Sequence, residues 1–364
     1  MYEPTLYEYF SKAVLSWYEV HGRKQLPWKL PDPYKIWVSE IMLQQTQVQT
    51  VIGYFNRFMD NFPTIHDLAS APEDGVLALW SGLGYYSRAR NLHKTASLIS
   101  ANYKGIFPSS LPLLLALPGI GPSTAAAILS LAFNQATPIL DGNVKRVLAR
   151  FFMISGSTDK ADTLKKLWDC AHACMPSTQC ANYTQAIMDL GALCCTLNKP
   201  DCENCPLQLH CLAFKNQEQA NYPNKKIKKP KPKRSQQFLV LVNDKECIYL
   251  EKRQAKGIWG GLWCLPTLEM EDCALQYIKN EYGLKGEMPR PIIQFTHHFT
   301  HFSLNIKALA IKSKPSEPPT VQPIGRWFAN DELQTVGIAR PTQIILCHYD
   351  ALFEVPQQHQ AGQP

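Results

Sequence analysis

The chain of 364 residues has no apolar run of roughly 18 residues, so no stretch of it spans a bilayer as a helix. Its first ten residues, Met1 to Phe10, carry two glutamates and no basic stretch, unlike a secretory signal peptide. Without such a signal, the 12 cysteines do not read as a disulfide framework; in a reducing compartment, clustered cysteines more often bind metal. Charged side chains make up only 18% of the chain, which leaves little room for long solvated tails. There is no internal repeat. What is present is 45% hydrophobic residues, too much chain for one ordinary core, so two domains are expected. The net charge of +7 suits a polyanionic partner such as nucleic acid, although a slightly basic soluble protein carries the same charge.

Residues 1–214 read as helical. Apolar positions recur at helical spacing in Leu6–Val20, Ile36–Phe58, Ala89–Ile99, Ala125–Phe133, Val144–Phe152, Leu164–His172 and Thr184–Leu193, with Pro and Gly between many of them. Residues 215–235 form an expected linker. Its run from Tyr222 to Arg234 holds seven basic residues, three prolines and no acid, so it should be extended, either strapped across phosphates or simply solvated. Strand-like runs follow at Phe238–Val242, Cys247–Glu251, Phe302–Ile311 and Gly325–Phe328. Helical stretches are expected at Glu271–Glu281, Asn330–Leu333 and Pro341–Leu352. That makes residues 236–354 a smaller α+β domain, with 355–364 a disordered tail.

Cys195, Cys202, Cys205 and Cys211 are spaced C-x6-C-x2-C-x5-C. Four thiolates within so short a segment can wrap one centre with little loop-closure entropy. Zinc and a [4Fe–4S] cluster both accept four sulfurs, but zinc usually takes two short knuckles and here there is one. The graded spacing fits the cluster better. Cys194 is adjacent to Cys195, and spacing does not choose between them. Upstream, Leu117-Pro-Gly-Ile-Gly-Pro-Ser-Thr-Ala125 joins two apolar helical segments. Gly119 and Gly121 permit a sharp turn, and the amides near Ser123 and Thr124 would open a helix toward an anion such as a DNA phosphate. Twenty residues on, Asp141 or Asn143 in Leu140-Asp-Gly-Asn-Val-Lys-Arg146 could simply cap the helix Val144–Phe152.

Taken together, the hairpin, the aspartate and the cysteine loop resemble the endonuclease III superfamily of helix-hairpin-helix DNA glycosylases. The run Ser39-Glu40-Ile-Met-Leu-Gln-Gln-Thr46 resembles the MutY branch in particular. The resemblance implies an all-helical glycosylase domain with an iron–sulfur loop, bound to duplex DNA holding adenine opposite 8-oxoguanine or guanine. It implies Asp141 as the anion that stabilises an oxocarbenium-like sugar, and Glu40 as the acid that protonates adenine. Glu40 lies in an otherwise apolar helical stretch, and burial raises a carboxyl pKa, which suits proton donation; an exposed helix glutamate is the plain alternative. Arg23, Trp28 and Gln185 match the walls of the base pocket. Gln44, Gln45 and Tyr85 match residues that wedge into the base stack, although Tyr85 and Tyr86 could equally pack a core. Bifunctional relatives carry a lysine where this chain has Ser123, so no strand-cleaving Schiff base is expected, beyond weak adventitious chemistry from Lys145.

Gly257-Ile-Trp-Gly-Gly-Leu-Trp-Cys-Leu-Pro266 resembles the turn of a Nudix-like fold. The segment after it lacks the R-E-x-x-E-E-like carboxylates that hold magnesium in the hydrolases, which implies the fold without the hydrolysis. In the resembled family this domain reads 8-oxoguanine through a Phe-Ser-His loop; here the matching residues are Phe299, Thr300 and His301. A monomer in a bacterial cytoplasm, associated with the nucleoid and not with a membrane, is the expectation. The competing functions are an endonuclease III-type lyase, an iron–sulfur DNA sensor without catalysis, and a nucleotide pyrophosphohydrolase.

Overall fold

The computed structural model describes residues 3–158, 160–224, 230–316 and 324–353. It divides into two compact units that do not follow the chain end to end. The first comprises residues 1–70 and 91–228; the second joins 71–90 to 229–364. The tail expected to be disordered, 355–364, and residues 225–229 of the expected linker lie outside the described residues.

The first unit is helical: α1 (Pro4–His21), α2 (Pro33–Leu43), α3 (Val48–Asn61) and α4 (Ile65–Ser70) precede the excursion of α5 (Glu73–Leu79) and the start of α6 (Ser87–Tyr103) into the second unit. α7 (Leu111–Leu115), α8 (Pro122–Phe133), α9 (Gly142–Phe151), α10 (Ala161–Ala173), α11 (Cys180–Leu193) and α12 (Leu212–Lys215) complete it. The segment Ile36–Phe58, expected as one helical stretch, is two helices. Gln45 has φ of 60°, which no α-helix accommodates, and the chain turns there before Gln47 starts α3. Apolar repeats cannot reveal that break, because both helices carry them. α11 packs on α1, α8 and α9, and its buried Tyr183, Ala186, Ile187 and Leu190 join Phe10, Val144, Leu148 and Phe151 in one core. The approach of α11 to α9 is close enough that a Cβ on Gly191 would lie 2.7 Å from Cβ of Asn143.

Among the described residues the second unit is an eight-stranded mixed sheet with helices α13 (Ala274–Tyr282) and α14 (Arg340–Phe353). Its strands are β1 (Lys233–Val242), β2 (Ile248–Lys252), β3 (Trp263–Cys264), β4 (Thr267–Glu269), β5 (Leu284–Gly286), β6 (Arg290–His298), β7 (Ser303–Pro315) and β8 (Gly325–Phe328). β1 runs parallel to β7 from Lys233 opposite Ser303 to Val242 opposite Lys312. Thus Lys233 and Arg234, expected within the linker, open a strand: ladder hydrogen bonds to β7 decide the backbone there, not the side-chain charge. β6, unforeseen in the sequence, forms an antiparallel hairpin with β7, and Phe299-Thr300-His301 fill its turn. Two apolar clusters lie on opposite faces of the sheet, alternating along β1 as Phe238, Val240 and Val242 on one side and Leu239 and Leu241 on the other.

The segment 71–90 is tied into this unit by polar contacts. Lys252 pairs with Asp74 at 2.8 Å, and Gln343 donates to Ser81 Oγ at 2.7 Å. Arg90 donates to the carbonyls of Ala255 and Gly260 in the glycine-rich turn. Among the described residues no helix is long and apolar enough to cross a membrane.

Candidate active site

α2 begins at Asp32, whose side chain accepts from the amides of Tyr34 and Lys35, and it is buried on nearly every side by Tyr34, Ile36, Trp37, Val38, Ile41 and Met42. Glu40 projects from this helix. Its residue surface keeps partial contact with solvent while protein atoms crowd the carboxyl. The crowding, and secondly the nearby charge of Asp141, push its pKa up to about 8. At neutral pH the group therefore holds its proton, and a proton so held is available for donation.

Asp141 caps α9. Its Oδ1 accepts from the Val144 amide at 2.7 Å and its Oδ2 from Asn143 Nδ2 at 3.1 Å. Burial pushes its pKa up; these hydrogen bonds and the Arg146 charge act against that and favour the carboxylate. The capping role that could have explained Asp141 away is thus real and coexists with proximity to Glu40. The cap holds the carboxylate's direction, and its charge is near enough to act on Glu40.

From Asp141 a polar chain leads through α9. Asn143 Oδ1 accepts from Arg146 Nη2 at 2.9 Å, and Arg146 Nε donates to the Cys195 carbonyl at 2.7 Å. One turn on, Arg150 is 3% exposed. Its guanidinium donates to the carbonyls of Thr196, Leu197, Gln219 and Tyr222 and lies 3.3 Å from Cys195 Sγ. These two buried arginines hold the cysteine segment against α9, and motif reading alone assigned neither of them a role. Apolar periodicity treats an arginine as surface; only the loop folding back supplies the carbonyls that make burial tolerable.

Cys195, Cys202, Cys205 and Cys211 line one cavity of about 390 Å³, counting its open side. Among the described residues no three His, Cys, Asp or Glu side chains close around a single metal ion. Four soft sulfur donors lining one cavity fit a thiolate-bound metal centre. Cys194 does not line the cavity: it is 6% exposed and its thiol donates to the Asp201 carbonyl at 3.2 Å.

The hairpin residues sit where the expected turn requires. Gly119 takes φ of 78°, and a Cβ there would lie 2.8 Å from Cβ of Asn91. Gly121 starts α8 without a side-chain cap, followed by Pro122, so the first amides, including those of Ser123 and Thr124, have no capping side chain. Gln44 Nε2 donates to Thr124 Oγ1 at 3.4 Å, which joins the α2–α3 turn to this hairpin, while Gln45 is exposed. Lys145 follows in the first turn of α9.

Arg23 and Gln185 meet at a residue not singled out beforehand. Asp189, with no exposed surface, accepts from the Arg23 backbone amide at 2.7 Å, from its Nε at 2.8 Å and Nη2 at 2.6 Å, and from Gln185 Nε2 at 2.9 Å. Trp28 is 4% exposed and meets Phe55 edge-on with ring centroids 5.2 Å apart.

In the second unit, Tyr85 is 47% exposed with φ of 49°, whereas Tyr86 is 8% exposed; of the two only Tyr86 is a core residue. The Arg88 guanidinium lies between Trp80 and Tyr85, at 5.4 and 5.5 Å from their ring centroids, and donates to the carbonyls of Leu83 and Gly84. Tyr85 Oη is 3.2 Å from Thr300 Oγ1. Phe299 stacks on Phe302 at 4.4 Å and its carbonyl accepts from Lys231, while Thr300 and His301 are exposed.

Residues 38–172 match the family described as HhH-GPD superfamily base excision DNA repair protein, and residues 237–348 match the NUDIX domain. An adenine DNA glycosylase of Buchnera aphidicola subsp. Acyrthosiphon pisum is 40% identical over 344 residues, covering 93% of this chain and 96% of that protein. The adenine DNA glycosylase of Homo sapiens is 32% identical, covering 91% of this chain and 72% of its own. A thermostable thymine-DNA glycosylase superposes with a TM-score of 0.53 at 27% identity over 58% of this chain and 98% of its own.

Proposed function

The chain belongs to the adenine DNA glycosylase family, base-excision-repair enzymes, and on that premise we propose that it removes adenine mispaired with 8-oxoguanine or guanine in duplex DNA, with Glu40 as acid and Asp141 as anion. The observation that carries this is the pairing of a carboxyl held protonated to about pH 8 with a hydrogen-bonded aspartate beside it. Adenine leaves deoxyribose slowly because its bonding pair must depart onto a neutral base. Glu40 transfers its proton to adenine N7. The N9–C1′ bond then breaks with its electron pair going to the base, and positive charge builds on the sugar. Asp141, already oriented by its cap, stabilises that charge without reorganising. Water adds to C1′ and returns a proton to Glu40, leaving free adenine and an abasic site. The base has to leave the stack to reach these groups.

Ser123 offers no amine, so the reaction ends at the abasic site and strand cleavage waits for alkali. Efficient borohydride trapping of a protein–DNA adduct that persisted in Lys145→Ala would contradict a monofunctional enzyme. Cys195, Cys202, Cys205 and Cys211 would hold a [4Fe–4S] cluster, whose chemistry here is to bind four thiolates and tie residues 195–211 into one loop. The amides at Ser123 and Thr124 are suited to a DNA phosphate. In the second unit, Phe299, Thr300 and His301, with Tyr85, read the 8-oxoguanine. Incubation with duplexes holding adenine opposite 8-oxoguanine, adenine opposite guanine, or oxidised thymine, followed by alkali, tests the assignment. Cleavage at adenine in the first two and none at thymine is expected; cleavage at oxidised thymine without alkali would favour the endonuclease III-type lyase.

A further inference from the structure

Among the described residues, the one fully buried carboxylate that the proposed reaction does not use is Asp189 on α11, a turn beyond Gln185. It accepts four hydrogen bonds, three from Arg23 and one from Gln185. An ionised carboxylate paired with a guanidinium has no proton to donate. The Gln185 atom that faces it must therefore be the amide nitrogen, whichever way an isolated amide would prefer to turn. Gln185 is 7% exposed, and among the described residues no donor reaches its Oε1. With its nitrogen committed to Asp189, the side chain has one hydrogen-bonding group left to offer a ligand, and that group is a carbonyl acceptor.

We propose that Asp189 is a positioning residue that sets the hydrogen-bonding polarity of the base pocket, turning Gln185 so that it accepts from an exocyclic amine. This rests on the reading of Gln185 as a wall of the adenine pocket. Adenine carries an amine at C6 and can donate to such an acceptor. A 6-oxo purine, hypoxanthine or guanine, places a carbonyl there. Two acceptors then face one another, and both go unpaired in a site with little water, which is the situation that rejects a wrong ligand strongly. Arg23 completes the device. Its three contacts hold the Asp189 carboxylate in place, so that Gln185 has a fixed reference and not a mobile one. Asn at position 189 would remove that asymmetry: its own amide can present either a donor or an acceptor, and Gln185 could turn over.

The test uses the full-length cluster-loaded protein and duplexes with adenine or hypoxanthine opposite 8-oxoguanine. It reads the ratio of the two single-turnover excision rates. Asp189→Asn should lower the adenine preference by roughly tenfold, the discrimination of about one hydrogen bond. Gln185→Leu should lower it similarly, and adding Asp189→Asn to Gln185→Leu should lower it no further. An unchanged ratio in folded Asp189→Asn overturns the proposal, as does a further fall in the double variant, since the effect would then not run through Gln185. If Asp189→Asn does not fold, Gln185→Leu decides alone, because it leaves the Arg23 pair intact: a lowered ratio supports the proposal and an unchanged ratio overturns it. A wild-type protein that released no adenine would overturn the adenine-excision reading and this one with it, whereas normal adenine release with an unmoved ratio removes only the role of Asp189.

Discussion

The carboxylate centre of the helical unit and the Phe299–His301 turn of the sheet unit are built on opposite plans. Glu40 and Asp141 are crowded by protein, fixed by helix geometry and capping hydrogen bonds, and shifted in pKa by their surroundings. Thr300 and His301 are exposed on a hairpin turn, with the Tyr85 hydroxyl 3.2 Å from Thr300 Oγ1. The difference teaches where each kind of work needs its energy spent beforehand. Charge stabilisation gains most from dipoles oriented before the reaction, in a place that excludes water. The hairpin turn, by contrast, stays open to solvent.

The largest expected effect falls on the acid. Glu40→Gln should slow single-turnover adenine release by about a thousandfold, in the range of general acid catalysis. The wild-type rate should fall as pH rises through about 8, where Glu40 loses its proton. A wild-type rate that climbed through that pH would break the assignment. The same shift carries a stability sign. A pKa raised on folding favours the folded state fully below the unfolded carboxyl value, and that advantage is lost as pH rises through the folded one. Glu40→Gln should therefore melt increasingly higher than wild type between pH 5 and pH 8 (both approximate bounds, about the usual glutamate value and the shifted one).

Next comes Asp141→Asn, which separates cap from catalysis. Asparagine caps helices about as well as aspartate, so the melting temperature should move by no more than about 1 kcal/mol equivalent, while excision falls on the order of a hundredfold or more. A rate loss matched by an equal loss of stability would reduce Asp141 to its structural role.

Arg150→Leu strands several carbonyls, and one charged-donor hydrogen bond is worth about 1.5–3 kcal/mol. It should lower thermal stability and the iron recovered per chain; full iron occupancy would show that the cysteine loop holds itself. His301→Ala should cut the preference for adenine opposite 8-oxoguanine over adenine opposite guanine by about tenfold, leaving the guanine rate in place. Equal loss on both duplexes would mean that the turn binds DNA without reading the oxidised base. The smallest change is Tyr85→Phe, which deletes the hydroxyl contact to Thr300. A few-fold fall in the same ratio is expected, about 0.5–1.5 kcal/mol at most.

Local chemistry made much of this legible without coordinates. Cys195 to Cys211 are legible from their spacing, while Gly119 to Thr124 and Ser39 to Thr46 are short runs that resemblance to the glycosylase family makes legible. Asp141 was legible as a cap from its place just before an apolar helical segment. The break at Gln45 was not, since two successive amphipathic helices present the same repeat as one. β6 was missed because only pairing with β7 makes a strand of Arg290–His298. Arg146 and Arg150 looked like surface residues because the carbonyls that satisfy them come from a loop about 45 residues away.

The order of residues by itself determined the two fold types, the clustering of the cysteines and the presence of two separated acids, because each rests on periodicity or on short motifs; that Cys195 and not Cys194 lines the cavity it left open. Only the tertiary structure decided that burial pushes the Glu40 pKa up to about 8, that the capping Asp141 lies near enough to add to that shift, and that Asp189 holds Arg23 and Gln185 together across 166 residues. Burial and the approach of distant charges set those properties, and neither exists until the chain has folded.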